Sequence, residues 1–415
     1  FTYKKNKWAS ILVFLHIFSV ASGPLLDYQM EFSLSGLAWT IVICFYIYLI
    51  VEPWSCFRIS SAIQNNYGRK FKYFSSVLIT LGVLAFFCFI PIIILLYSLD
   101  LDPNEFKYQG GVDDFLALPS FPIPPKLLTL VTYSAYVSIL ALPLHFYYLS
   151  VKNNKMAFWS LIASLAYVLR GLTYFSRALP ISFMMMYVMF FILFRESIDK
   201  KIISILKKGA LIVSVLLVIN ILSISTKRFS DKYDFYQTEY SQNKEIIIKD
   251  PVIVSYLDYL CQGYYNCYDL LNKYDGKTFG GNISFQDILI LTNQYLGIGY
   301  SRDKMVDLRR KIWPGAWSAT FNSYVAYVVY DFGIFGSLLI TLLYSTYVRR
   351  KCRLMKKGKL LLSDLNWIML LFQIPLFSIF YSALGALVIP GIFLIVLNIV
   401  FKPRNHKIYF KPVLQ

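Results

Sequence analysis

Four arginines are the residues in this chain best suited to chemistry. Arg302 and Arg309 lie seven positions apart in a stretch of helical periodicity, nearly two full turns, so they can share one face. Arg170 and Arg177 repeat that spacing at the end of an apolar segment. Arg170 falls some six residues inside the segment, roughly 9 Å at 1.5 Å per residue. There a charged side chain costs a few kcal/mol and must face protein, water or an anion, or snorkel to headgroups. A guanidinium stays charged and grips phosphate oxygens two at a time, so four of them drawn from two elements make a clamp for a diphosphate. Arg310 and Lys311 extend the row beside Arg309, where a solvated run of charge is the equal alternative.

The elements that position these residues follow from composition. The chain has 415 residues, is 57% apolar and has a positive mean hydropathy. That is more apolar surface than a soluble fold of this size hides, which predicts an all-α polytopic membrane protein. Runs long enough to cross a bilayer as helices fall at 8–26, 34–51, 73–98, 126–149, 156–176, 178–194, 209–225, 320–348, 364–382 and 386–401, about ten spans. The chain starts at Phe1 rather than Met, so residues are expected to precede it, and the first apolar run is expected to remain as an anchor.

Charge sets the orientation. Placing the N-terminus in the cytoplasm puts 25 of the 41 basic residues in the cytoplasmic segments around Lys4, Arg58–Lys72, Lys152, Arg195–Lys208, Arg349–Lys359 and Lys402–Lys411, and leaves 19 of the 23 acidic residues outside. Both termini are therefore expected in the cytoplasm. The net charge of +18 belongs to those membrane-facing loops and does not call for nucleic acid. The organisation expected is one transmembrane domain, 1–415, with an inserted external loop, 227–319.

Within that loop three helices are expected, at Pro251–Tyr274, Phe285–Tyr295 and from near Ser301 to Trp313, the first amphipathic and lying near the membrane. Gly276, Gly280, Gly281, Gly297 and Gly299 separate them. Of the six cysteines only Cys261 and Cys267 face an oxidising compartment, as a local disulfide or as free thiols. The histidines, His16, His145 and His406, all lie outside the loop. No phosphate loop, paired Cys-x-x-Cys set or His-rich tract is present, so nucleotide-driven pumps and zinc enzymes are excluded. Neither a metal nor another cofactor is expected, because arginines can neutralise the diphosphate.

The loop closes on Thr320 to Gly336, TFNSYVAYVVYDFGIFG. With the Arg-bearing segment at Arg170 and Arg177, the late external loop and the stretch Tyr330-Asp331-Phe332-Gly333-x-x-Gly336, the chain resembles the bacterial O-antigen and capsule repeat-unit polymerases over its whole topology. The resemblance implies a helical membrane glycosyltransferase fold of the GT-C-like kind. It implies a plasma-membrane enzyme that joins oligosaccharides carried on polyprenyl diphosphate at the outer face, with polyprenyl diphosphate leaving. Its partners would be those lipid-linked oligosaccharides, membrane lipids, and a chain-length regulator and a flippase of the same pathway. Charge develops on the leaving diphosphate, so Arg170, Arg177, Arg302 and Arg309 are the expected catalytic groups.

The related O-antigen ligases carry a His-Asn pair before the equivalent helix, where this chain has Phe321-Asn322. That departure speaks against the ligase and leaves a carboxylate as base, with Glu239, Glu245, Asp258, Asp303 and Asp307 as candidates. Asp303 joins the expected catalytic set, and Tyr300, Arg310, Trp313, Asn322 and Asp331 the substrate-binding set. A carboxylate on an apolar helix is expensive unless paired, so Asp331 is expected either to meet a clamp arginine or to belong to a packing motif with Gly333 and Gly336. The ligase and a lipid-linked oligosaccharide flippase stand as the alternative functions; a flippase would line its path with charge through several spans and keep its loops short.

Overall fold

The computed structural model describes residues 7–28, 33–57, 63–98, 125–173, 178–209, 251–313, 321–356 and 360–402, together with 176, 215, 219 and 248. These residues are helical almost throughout. The helices are α1 (Lys7–Ser22), α2 (Leu34–Val51), α3 (Phe71–Ser98), α4 (Pro125–Ser138), α5 (Leu142–Ser150), α6 (Asn154–Thr173), α7 (Ala178–Phe194), α8 (Pro251–Asn272), α9 (Gln286–Leu296), α10 (Arg302–Ile312), α11 (Ser323–Lys356), α12 (Leu362–Phe377) and α13 (Leu384–Phe401).

Eight segments among the described residues are long and apolar enough to cross a membrane: Ala9–Leu26, Leu34–Cys56, Gly68–Ser98, Leu127–Ser150, Asn154–Thr173, Leu179–Ser197, Ser323–Leu354 and Leu384–Phe401. The protein is a polytopic helical membrane protein, and these eight match eight of the ten expected runs. The run at 209–225 lies almost wholly outside the described residues. The run at 364–382 is instead the shorter α12, which stops at Phe377. Its end is explained by use: the carbonyls just beyond it are taken by another helix, as described below. The break expected at Arg177 is present, since α6 ends at Thr173 and α7 begins at Ala178 with Pro180 in its first turn, where no backbone donor is lost.

The chain divides into two compact units. One comprises Arg58–Ile221, Arg353–Leu370 and Pro390–Gln415. In it α3 crosses α6 closely enough that a Cβ on Gly82 would stand 2.7 Å from that of Ala163, the small-on-small packing that membrane helices use where no hydrophobic drive separates protein from lipid. A two-residue parallel ladder joins Ile63–Gln64 to Leu360–Leu361. It is extended by Asn66, whose amide donates to Ser363 Oγ at 2.8 Å, and by Tyr67, whose hydroxyl donates to Asn398 Oδ1 at 2.6 Å.

The other unit comprises Phe1–Phe57, Leu222–Cys352 and Leu371–Ile389 and holds α8, α9 and α10. The sequence places α8 near the membrane. It packs along α1: Ser19 donates to Leu260 O at 2.5 Å, Tyr265 to Val20 O at 3.1 Å, and Tyr264 bonds His16 Nδ1. His16 is near the middle of the Ala9–Leu26 candidate span, so α8 lies alongside that helix. The far face of α8 meets the turn after α12, where a Cβ on Gly263 would stand 2.0 Å from Ile379 O. Cys261 and Cys267 are free buried thiols on this one helix.

The start of α11 is built by that same turn. The first amides of a helix have no partner within it. Here Asn322 N and Ser323 N donate to Phe380 O at 3.1 and 3.2 Å, and Tyr324 N donates to Ser378 O at 2.8 Å. Asn266 Nδ2 donates to Phe321 O at 2.8 Å and closes the joint from α8.

Candidate functional site

Gly333 organises the site. It takes φ 72° and ψ 173° and splits α11 into two helices, a backbone conformation open to glycine and strained for other residues. The split frees two carbonyls upstream, and the loop 279–285 docks on them. Phe279 N donates to Tyr330 O at 2.8 Å and Gly281 N to Asp331 O at 3.0 Å. The Asp331 carboxylate completes the joint, accepting Ile283 N at 3.1 Å and Ser284 N at 2.8 Å on its two oxygens. The Asp331 carboxylate is thus met by backbone amides of the docked loop rather than by an arginine among the described residues. Gly333 serves as a break, where the sequence expectation was a close helix approach.

The docked loop leads into α9. That helix ends at Gly297, which has left-handed φ/ψ, and Asn293 Oδ1 accepts Tyr300 N at 3.0 Å. Ser301 then caps α10, its hydroxyl accepting Lys304 N at 3.3 Å. Arg309, Arg310 and Lys311 fall in the last turn of α10, where the helix dipole favours positive charge. Arg310 is exposed and stands 3.9 Å from the exposed Asp307, a pair worth little in solvent.

Arg309 turns inward. Its Nη2 donates to Gln286 Oε1 at 3.2 Å, and its guanidinium carbon lies 5.9 Å from the centre of the Trp313 ring. Trp313 is 1% exposed. It is held edge-on by Phe279, Tyr327 and Tyr330 at centroid distances of 5.5, 5.3 and 6.1 Å. Tyr300 is joined to the group electrostatically. Burial raises its pKa above the usual phenol value, the Arg309 charge opposes that rise, and the Asp331 and Asp287 carboxylates add to it. The Arg309 charge also reaches Tyr327.

Three polar atoms of this cluster are buried without a hydrogen-bond partner among the described residues: Arg309 Nε, Trp313 Nε1 and Tyr300 Oη. Buried donors are rarely left unmade, because each costs about 1–3 kcal/mol. Three together, walled by aromatic rings and carrying one fixed positive charge, suit a ligand rich in oxygen acceptors.

The structure thus gathers Tyr300, Arg309 and Trp313 from the expected site residues, with Asp331 holding the loop that leads to them. Arg302 and Asp303 lie in the first turn of α10, their side chains outside the described set. Arg177 is also outside it. Arg170 belongs to the other unit. It is 9% exposed, and its guanidinium carbon sits 3.4 Å from the centre of the Tyr136 ring, so it faces protein rather than snorkelling to headgroups. Asn322 is fully buried at the start of α11, its amide donating to Phe380 O. Gln286, Asp287, Phe279 and Tyr327 escaped the sequence reading. Among the candidate bases, Asp258 accepts the Tyr28 hydroxyl at 2.5 Å, and Glu239 and Glu245 lie outside the described residues.

Among the described residues no group of three His, Cys, Asp or Glu could hold a metal ion. The chain matches no protein-family model, no curated protein and no solved structure.

Proposed function

We propose that the chain is a membrane glycosyltransferase that polymerises polyprenyl-diphosphate-linked oligosaccharide repeat units into O-antigen or capsular polysaccharide. The cluster of Arg309, Trp313 and Tyr300 carries the reading: three buried donors without acceptors among the described residues, and one fixed cation. The setting supports it, since Tyr300, Arg309 and Trp313 lie between the candidate spans of a polytopic membrane protein. In this reading the loop faces outward, both termini are cytoplasmic, and the protein works in the bacterial plasma membrane.

In the reaction an acceptor sugar hydroxyl forms a bond to the anomeric carbon of a lipid-linked chain. The bond from that carbon to the diphosphate oxygen breaks, its electron pair leaves with the polyprenyl diphosphate, and the hydroxyl proton passes to a carboxylate. Arg309 and the two neighbouring donors meet the charge that grows on the departing oxygens, which lowers the barrier more than it tightens substrate binding. Arg302 and Asp303 start the same helix and are assigned to the same reaction. Asp287, whose charge acts on Tyr300, joins Asp303 as a candidate base.

The test is deletion of the gene in its source bacterium, with sizing of both the surface glycan and the lipid-linked glycan, and complementation by the native chain or by Arg309→Ala. A surface product cut to one repeat, restored by the native chain and not by the variant, supports the proposal. Long polymer accumulating on lipid means a ligase. Single repeats trapped inside mean a flippase.

A further inference from the structure

The apolar surface of the external loop is in the wrong place for water. From Phe285 to Ile298 the sequence FQDILILTNQYLGI carries one charged residue, Asp287. Ile288, Leu289, Ile290 and Leu291 are consecutive on α9, and at about 100° per residue they cover some 300° of the helix surface, so no rotation hides them all. The ends are bare: Phe285 is 45% exposed, Leu296 74% and Ile298 51%. On α10 Val306 is 44% exposed.

This surface joins the lipid-facing surface of a span. The Phe285 ring meets that of Phe332 at 6.4 Å, edge to face. Phe332 is followed on α11 by Ile334, Phe335 and Leu339, 42%, 88% and 59% exposed on a segment apolar enough to cross a membrane. Exposed apolar side chains therefore continue from the span onto the loop. The next helix carries the opposite chemistry, with Lys304, Arg310 and Lys311 exposed and Asp307 the one described acid among them. A nearly uncharged helix followed by a basic one is the pattern of a hairpin lying in the membrane interface, apolar residues among acyl chains and cations at lipid phosphates.

We propose that the α9–α10 hairpin is a membrane-interface anchor, its partner the lipid leaflet on the loop's side, with Phe285, Leu296 and Ile298 in the acyl region and Lys304, Arg310 and Lys311 at the headgroups. The anchor is independent of the glycan reading, and lipid immersion is measured without any substrate.

A nitroxide placed at Leu296→Cys or Ile298→Cys reports the depth, in a chain whose non-buried cysteines Cys44, Cys56 and Cys88 are changed to serine. The protein is held in nanodiscs of phosphatidylglycerol and phosphatidylcholine, with Lys277→Cys, on the exposed turn before α9, as the aqueous control. Collisions with dissolved oxygen should exceed those with a water-soluble nickel chelate at 296 and 298, and the order should reverse at 277. Nickel exceeding oxygen at 296 and 298 overturns the proposal. So does exclusion of both probes, which means a protein partner covers the hairpin. Photolabelling of the native chain by an acyl-chain carbene probe repeats the test without substitution: label recovered in residues 285–298 supports the anchor, and its absence there overturns it.

Discussion

Replacing Asp331 by alanine should release the loop that carries the candidate site while leaving the spans in place. The carboxylate holds two backbone amides, Ile283 N and Ser284 N, at 3.1 and 2.8 Å. Hydrogen bonds to a charged group contribute about 1.5–3 kcal/mol each. Loss of both, less what water recovers once the loop lifts, should weaken docking of residues 279–285 by about 3–4 kcal/mol. At 1.4 kcal/mol per factor of ten, the amides of Ile283 and Ser284 should exchange hydrogen roughly 10²–10³ times faster. The Phe279 and Gly281 amides, bonded to carbonyls at the same break in α11, should follow them. Asp331→Asn keeps one acceptor oxygen and turns its own N–H groups toward the second amide, so its effect should fall between. Hydrogen exchange by mass spectrometry on the protein in nanodiscs reads all three states. Unchanged protection at 281–284 in the alanine variant would refute the docking argument, and equal protection in the asparagine variant would refute the need for a carboxylate.

Other outcomes follow from the site and the packing. Arg309→Ala should lower glycan polymerisation about 10²–10³-fold, and Arg309→Lys should recover little, because a point charge replaces a fork; sizing of the surface glycan in the complemented deletion strain checks both. Trp313→Phe keeps an aromatic ring and deletes the unpartnered N–H, so activity should fall about tenfold with a smaller stability loss than the about 3–5 kcal/mol expected for Trp313→Ala. Gly333→Ala forces a side chain to φ 72° and should cost about 1–3 kcal/mol, read as a lower unfolding temperature in detergent. Burial moves the ionisation of Tyr300 above the usual phenol value, so any alkaline fall in activity that Tyr300→Phe removes should lie above the ordinary phenol midpoint.

The fold was legible where one kind of residue dominates a run. Eight spans follow from apolar length alone, α9 ends just before Gly297, and α10 runs between Ser301 and Trp313. What escaped were features that depend on residues far apart in the chain. Apolar length carries α12 past Phe377, and only the amides of residues 322–324 show why it stops. Amphipathic spacing in α8 reads equally as a helix on lipid or a helix against protein, and His16, some 250 positions earlier, decides it. Asp331 was legible as a carboxylate needing partners, but backbone amides leave no mark in a sequence, so the arginines drew attention instead. The same limit hid Gln286 and Tyr327. Arg309, Trp313 and Tyr300 were legible because cations and aromatic donors crowd into one short stretch, residues 300–313.

The joint between the start of α11 and the turn after α12 carries a consequence for biogenesis. During synthesis the ribosome delivers residues 322–324 more than fifty positions before the carbonyls of Ser378 and Phe380 that accept their amides. Until that later turn is made, the upper end of α11 has donors with nothing to bond. The segment bearing Asp331, and with it the docking of the loop, therefore waits on nearly the whole chain. A nascent chain stopped before residue 378 would contain every residue of the candidate site and still lack the site, so quality control during membrane insertion should treat C-terminal truncations as unassembled rather than merely shortened.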